Sequence, residues 1–424
     1  MSRIVIIGGG QAGVQLADSL RTEGYEGAID LFAEEPHLPY QRPPLSKDFM
    51  SENDSASPLP LRADAFFGER AVEFHRGVQV TAVDPAGQTV VASDGATLAY
   101  THLVFATGAR NREIAVPGSE LDGIRYLRTL DDAKALQSEL GSARHVVVIG
   151  AGFIGLEFAA AARKRGLDVT VLEFGPRPMG RVLSRFMSGY FADMHTDNGI
   201  KLKLGEGIAS LTGTEGKITG AVSTTGTEYP ADLVVVGIGV LPNSELAEQA
   251  CLETDNGIVV DACLRTSDPY IFALGDCSSY PSAHTGTRIR LESVQNATDQ
   301  ARSLAKTLTG KPTPYDSLPW FWSQQGTVKL QIAGIIHSDD ESIVRGEPAS
   351  GKFSVYCFRD GRLTGVESVN SPSEHMAARK VLEQRLPLTP ELVMDADFDP
   401  KGFSRQLVFL KPNDAKNLEH SATV

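Results

Sequence analysis

The 424-residue sequence predicts an α/β chain: two doubly wound, parallel-sheet domains, the second inserted in the first, followed by a smaller α+β domain. Three observations predict this. A strand, glycine turn, helix and second strand occur in that order twice, 142 residues apart. Further apolar strands that end in glycine turns lie on both sides of the second copy. After Gly310-Lys311-Pro312 the pattern changes to short alternating strands.

The first copy begins with the apolar run Arg3–Ile7, which passes into Gly8-Gly9-Gly10-Gln11-Ala12-Gly13. A helix is expected from Val14 to Arg21, since Leu16 and Leu20 stand at i, i+4. A second strand, Ala28–Ala33, ends at Glu34 and Glu35. The second copy runs from His145–Ile149 into Gly150-Ala151-Gly152-Phe153-Ile154-Gly155. A helix to about Arg165 and the strand Asp168–Leu172 follow, ending at Glu173. Arg163-Lys164-Arg165 closes that helix, where cations complement its dipole, and Gly166 supplies the C-terminal cap.

Each copy is a dinucleotide fingerprint. The first glycine permits the tight turn, the second lets backbone approach a pyrophosphate, and the third lets helix and strand pack closely. The helix N-terminus offers free N–H groups and partial positive charge to phosphates. An acid about 20 residues on bonds ribose hydroxyls. Here Glu34 follows Gly13 by 21 residues and Glu173 follows Gly155 by 18. Two fingerprints imply two adenine dinucleotides, FAD and a nicotinamide nucleotide. The two acids would repel a 2′-phosphate, so NADH is expected over NADPH, although Arg177 and Arg181 lie downstream.

The turns Thr107-Gly108, Gly237-Ile238-Gly239 and Gly275-Asp276 each follow an apolar strand. Their order around the second fingerprint gives the expected domains: 1–112 with 243–318 for FAD, 113–242 for NADH, and 319–424 as the closing domain. Asn111–Gly118 and Leu241–Ser244, each with a proline, are the expected linkers. In the closing domain, strands are expected at Lys329–Ile335 and Phe353–Phe358, and a helix near Glu374–Arg385.

Composition excludes several classes. With 42 % apolar and 22 % charged residues, the chain is neither disordered nor fibrous. No apolar run approaches the roughly 18 residues a membrane helix needs. Ile4–Ile7 is too short for a signal-peptide core. Four cysteines, none in a CxxC pair, make no disulfide framework, so a reducing, cytoplasmic setting is expected. The net charge of −13 argues against general nucleic-acid binding.

The sequence resembles the FAD-dependent, NADH-using ferredoxin reductases of bacterial oxygenase systems, the family of putidaredoxin reductase and the biphenyl dioxygenase ferredoxin reductase. The resemblance runs from Arg3 to about Pro390. Its most specific segment is Pro39-Tyr40-Gln41-Arg42-Pro43-Pro44-Leu45-Ser46-Lys47. Tyr126-Leu127-Arg128-Thr129-Leu130, Gly275-Asp276-Cys277, Glu292-Ser293-Val294-Gln295-Asn296-Ala297 and Pro319-Trp320-Phe321-Trp322 support it. The family implies two Rossmann-like domains in the glutathione-reductase-like arrangement.

By this resemblance, FAD contacts come from Gly8, Gly10, Ala12, Gly13, Glu34, Arg42, Lys47, Val80, Thr107, Gly108, Arg128, Asp276, Val294 and Trp320. NADH contacts come from Gly150, Gly152, Ile154, Gly155, Glu157, Glu173 and Gly239. Lys47 and Glu157 are the implied catalytic pair, with Glu157 bonding the nicotinamide amide. The implied acceptor is a small [2Fe–2S] ferredoxin that serves a cytochrome P450 or a ring-hydroxylating dioxygenase. Arg62, Arg302 and Trp322 are candidate docking residues. Rubredoxin reductases and apoptosis-inducing factor are more distant relatives, so another acceptor, or an NADH sensor, is the alternative. A monomer or homodimer is expected.

Thiol-dependent members of the wider superfamily carry cysteine on the helix after the first flavin strand. The matching stretch here, Pro36 to Met50, has none, and Cys277 reads as a buried packing residue. Cys251, Cys263 and Cys357 are scattered, and the nine histidines form no paired motif. No metal is expected.

Overall fold

The computed structural model describes residues 2–50 and 57–406. The chain packs as two compact units, Met1–Met179 with Gly189–Ser317, and Gly180–Ser188 with Leu318–Val424.

The first unit contains two five-stranded parallel sheets of matching design. One has the strand order Ile271–Ala273, His102–Phe105, Arg3–Ile7, Ala28–Ala33, Val72–Arg76. The other has the order Lys201–Leu204, Asp168–Glu173, His145–Ile149, Leu233–Val236, Ile124–Tyr126. The fingerprint strand is central in both. Its near-continuous apolar sequence, with no polar alternation, fits burial on both faces: Ile4, Val5, Ile6, Val147 and Val148 are all fully buried. On one side lies the strand that follows the fingerprint helix, and on the other a strand from much later in the chain. The order therefore reverses beside each glycine turn, and such switch points are where open α/β sheets bind ligands.

The two fingerprint helices span Gln11–Thr22 and Phe153–Lys164. The first starts three residues before the leucine spacing predicts, directly after Gly10. It buries Val14, Leu16, Ala17 and Leu20. The second buries Leu156, Phe158, Ala159 and Ala162, and among them one carboxylate, Glu157. Gly166 follows its C-terminus at φ +86°, a conformation that costs glycine little. Where the two expected linkers begin, Ala109–Asn111 pairs antiparallel with Val240–Pro242.

The second unit is an antiparallel sheet in the order Trp320–Gln325, Val328–Gly334, Arg362–Val369, Lys352–Arg359, Glu341–Glu347. The helices Pro372–Glu383, Pro390–Met394 and Pro400–Gln406 complete its described part. Gly180–Ser188, which sequence order assigns to the NADH domain, packs with this unit instead. The reason lies in Glu367, which is fully buried on its sheet. A buried carboxylate needs donors, and Ser184 supplies two: its N–H at 2.9 Å and its hydroxyl at 2.5 Å.

Candidate functional site

Both fingerprints show the same division of labour among their glycines. Gly8 and Gly150 have φ of +123° and +101°. A Cβ on Gly8 would lie 2.1 Å from the Ala106 carbonyl oxygen, and one on Gly150 2.5 Å from that of Gly237. The first glycine is thus pressed against the neighbouring strand end. A Cβ on Gly13 or Gly155 would strike the first glycine's carbonyl oxygen, at 2.0 Å and 2.3 Å. The middle glycines differ: a Cβ on Gly10 would meet nothing within 4 Å, and one on Gly152 only the Gly237 oxygen at 3.8 Å. Gly10 and Gly152 are also the helix N-caps, and neither helix has a side-chain cap. Helix geometry leaves first-turn N–H groups without intrahelical partners, and the backbone at Gly10 and Gly152 leaves room beside them. Such a cradle fits a pyrophosphate, and there are two of them.

Around the first cradle, the site residues are tied to one another. Arg128 contacts Asp276 at 3.1 Å, and the Gly275 N–H donates to Gln300 Oε1 at 2.7 Å. Thr107 donates to the Asn243 carbonyl at 2.6 Å, and Asn243 Nδ2 donates back to the Thr107 carbonyl at 2.9 Å. Gly108, at φ +68°, lies beside Arg128. Arg42 donates to Glu35 and to the Arg128 carbonyl, both at 2.5 Å. Tyr40 donates to Glu35 and accepts from the Leu130 N–H at 2.8 Å. Burial pushes the Tyr40 phenol well above its usual range, helped by the bond to Glu35 and opposed by the charge of Arg42. It stays a protonated donor.

Other expected residues sit differently. Glu34 is exposed, just past the strand Ala28–Ala33. Val294 is half-buried at the start of the helix Val294–Leu308. Val80 is 1 % exposed, with its side chain in the apolar core, so only its backbone is open to a ligand. Cys277 is fully buried, and burial raises its thiol pKa, so it is no ready thiolate. Trp320 and Trp322 lie on the first strand of the second unit, their rings 5.5 Å apart, with the Arg379 guanidinium 4.7 Å above Trp320.

At the second cradle, Glu173 Oε2 accepts from the Ala151 N–H and Oε1 from the Gly175 N–H, each at 2.7 Å. Ile154 is exposed in the first turn of the helix, and Gly239 has φ +106°. On the second fingerprint helix, Glu157 Oε2 lies 2.7 Å from Lys47 Nζ, which ties the Pro39–Lys47 segment to that helix. Glu157 is 5 % exposed. The Ser46 hydroxyl donates to the same oxygen at 2.5 Å, and Lys47 also donates to the Pro43 carbonyl at 3.0 Å. Lys47 and Glu157 are 110 positions apart in sequence. Ser46 has no place in the sequence-based site, although it is Lys47's neighbour in the Pro39–Lys47 segment. Tyr40, Glu35, Asn243 and Gln300 are also absent from it, because they act through other residues.

Of the docking candidates, Arg62 is engaged: it donates to Asp18 at 2.8 Å and its guanidinium lies over Phe66. Arg302 is exposed, with Asp299 at 3.4 Å on the same helix. Among the described residues no group of three or more His, Cys, Asp or Glu is placed to hold a metal ion. Also among them, no helix is long and apolar enough to cross a membrane.

Residues 2–301 match the family model described as pyridine nucleotide-disulphide oxidoreductase, and residues 320–403 match the one described as reductase C-terminal. A rhodocoxin reductase of Rhodococcus erythropolis is 51 % identical, covering 94 % of this chain and 93 % of its own. The crystal structure of a ferredoxin reductase for the CYP199A2 system of Rhodopseudomonas palustris is 46 % identical, with a TM-score of 0.93, covering 95 % of this chain and 100 % of that one. The covalent putidaredoxin reductase–putidaredoxin complex gives 37 % identity and a TM-score of 0.91, covering 96 % of this chain and 99 % of that one.

Proposed function

The chain belongs to the pyridine nucleotide-disulphide oxidoreductase family, and from that premise we propose that it passes electrons from NADH through FAD to a small [2Fe–2S] ferredoxin. That ferredoxin would serve a cytochrome P450 or a ring-hydroxylating dioxygenase. The observation that carries the reading is the pair of open glycine cradles, together with the Lys47–Glu157 pair that ties the Pro39–Lys47 segment to the second fingerprint helix.

Bound FAD supplies the conversion between a two-electron donor and a one-electron acceptor. The protein's residues bind and orient. The Gly8–Gly13 turn and the following helix N-terminus would hold the flavin nucleotide's pyrophosphate, and Glu34 would take its ribose hydroxyls. Arg128, held by Asp276, and Lys47 would offset negative charge on the flavin side. The Gly150–Gly155 turn and Glu173 hold NADH. A carboxylate has about four lone-pair sites, so Glu173 can keep its two backbone bonds and still accept from ribose. Glu157 accepts from the nicotinamide amide, and its bonds to Ser46 and Lys47 aim its carboxylate. No protein acid or base moves a proton in hydride delivery.

With no cysteine between Pro36 and Met50, and Cys277 a buried thiol, electrons leave without a protein disulfide. The ferredoxin is the partner, and Arg302 is the docking cation that its exposure best supports. Arg62 serves a local ion pair. Trp320 remains the proposed flavin contact and Trp322 a proposed docking residue, both on the strand Trp320–Gln325. The proposed domain division remains FAD, NADH and closing domains, with Gly180–Ser188 reassigned to the last.

The test is direct. The purified protein should carry FAD by its absorption spectrum, and one equivalent of NADH should bleach it without oxygen. A colourless protein that binds no added FAD, or a bound flavin that NADH leaves oxidised, would overturn the proposal.

A further inference from the structure

We propose that Phe174 is the platform on which the adenine of NADH stacks, so that this side chain sets affinity for the dinucleotide's adenosine half. The proposal rests on the NADH reading of the second fingerprint.

Phe174 is 80 % exposed, well above Met394 at 61 % and Leu59 at 56 % among the described large apolar side chains. Its place makes the exposure informative. It directly follows Glu173, the acid at the end of the strand Asp168–Glu173. The acid at this point of a fingerprint bonds the adenosine ribose. Adenine is joined to that same ribose, so it must lie next to the acid, and Phe174 is the next residue along the chain.

The backbone around it is held on three sides. The Glu173 carboxylate takes the Ala151 and Gly175 N–H groups. The Glu173 carbonyl accepts from the Glu206 N–H, and the Gly175 carbonyl from the Gly205 N–H, each at 3.0 Å. The Met179 N–H returns to the Ala151 carbonyl at 2.8 Å. Phe174 is therefore anchored to the fingerprint through Ala151 on each side. Its ring rests against Gly207: a Cβ there would come 3.0 Å from Phe174 Cδ2. One part of the ring lies on bare backbone while the rest stays open to solvent. A ring carried on backbone that is already held loses less entropy on stacking, and every base offers a π-face.

The experiment uses the flavin-loaded protein and its Phe174→Ala and Phe174→Trp variants. Calorimetry measures ADP-ribose binding, and rapid mixing measures flavin reduction by NADH and by reduced nicotinamide mononucleotide, which lacks adenine. In Phe174→Ala, the Kd for ADP-ribose and the KM for NADH should rise about tenfold, within the range of base–aromatic stacking. The limiting reduction rate and the response to the mononucleotide should stay unchanged, and Phe174→Trp should restore both affinities. Unchanged ADP-ribose binding in Phe174→Ala overturns the proposal, as does an equal loss toward the mononucleotide. Failure of NADH to reduce the wild-type flavin would overturn the NADH reading itself, a result visible before any variant is made.

Discussion

Replacing Glu157 tests its pairing with Lys47 and its proposed contact with the nicotinamide. Its carboxylate is 5 % exposed, 2.7 Å from Lys47 Nζ and 2.5 Å from the Ser46 hydroxyl. At an effective dielectric of 20, the ion pair alone is worth about 6 kcal/mol of gross attraction, most of it offset by the cost of taking both charges from water. For NADH the relevant quantity is one hydrogen bond from the nicotinamide amide to a charged acceptor, about 1.5–3 kcal/mol. At about 1.4 kcal/mol per tenfold, that is roughly 10- to 100-fold in kcat/KM. Lys47 competes for the same oxygen, which places the expected loss near the lower bound. Glu157→Gln keeps shape and removes charge; Glu157→Ala removes both and leaves Lys47 with the Pro43 carbonyl. Rapid mixing with NADH should show KM raised about tenfold in the first variant and more in the second. Flavin content and thermal midpoint guard against simple unfolding. Should both variants reduce with wild-type kcat/KM, Glu157 does not touch the nicotinamide and the pair is structural.

Other outcomes follow from the same geometry. Glu173 beside a 2′-phosphate should disfavour NADPH by roughly 1–4 kcal/mol, the range for like charges about 4 Å apart between water and a protein surface; kcat/KM should favour NADH at least about fivefold, and a preference for NADPH would contradict it. Arg302→Glu should raise the ferredoxin KM several-fold at low salt, with the difference fading as the screening length falls below about 8 Å; equal KM values at every salt concentration would remove Arg302 from the docking surface. His375 is 1 % exposed, and burial, then the Arg379 charge, lower its pKa to about 4. Its unfolded value is about 6.5, so its contribution is complete above about pH 6.5. As pH falls toward 4 the unfolded chain takes the proton first, and up to about 1.4 kcal/mol is lost per pH unit. Thermal melts from about pH 7.5 to about pH 5 should therefore fall more steeply for wild type than for His375→Phe, and parallel curves would refute the assignment.

The two sheets and their cradles are legible in the sequence because a phosphate-binding turn is local: Gly8, Gly10 and Gly13 lie within six residues, and the helix starts among them. Lys47–Glu157 is legible only through family resemblance, since 110 residues separate the partners. Ser184–Glu367 spans 183 residues, and no periodicity marks a buried carboxylate that recruits a distant serine; hence Gly180–Ser188 reads with the NADH domain in sequence and packs with the other unit. Arg62 shows the converse limit. Its charge is plain in the sequence, but the Asp18 that occupies it is not. Phe174 reads as an apolar residue after an acid, yet its exposure comes from the bonds of Glu173 to Ala151, Gly175 and Glu206.

The central claim concerns the acceptor. The measurement that tests it most directly is anaerobic at the start: the NADH-reduced protein is mixed in turn with a [2Fe–2S] ferredoxin, a rubredoxin and dioxygen, and flavin reoxidation is followed. Fast single-electron transfer to the ferredoxin, with slower transfer to rubredoxin and to oxygen, is the predicted result. Faster transfer to rubredoxin, or a reduced flavin that persists with all three, would contradict it.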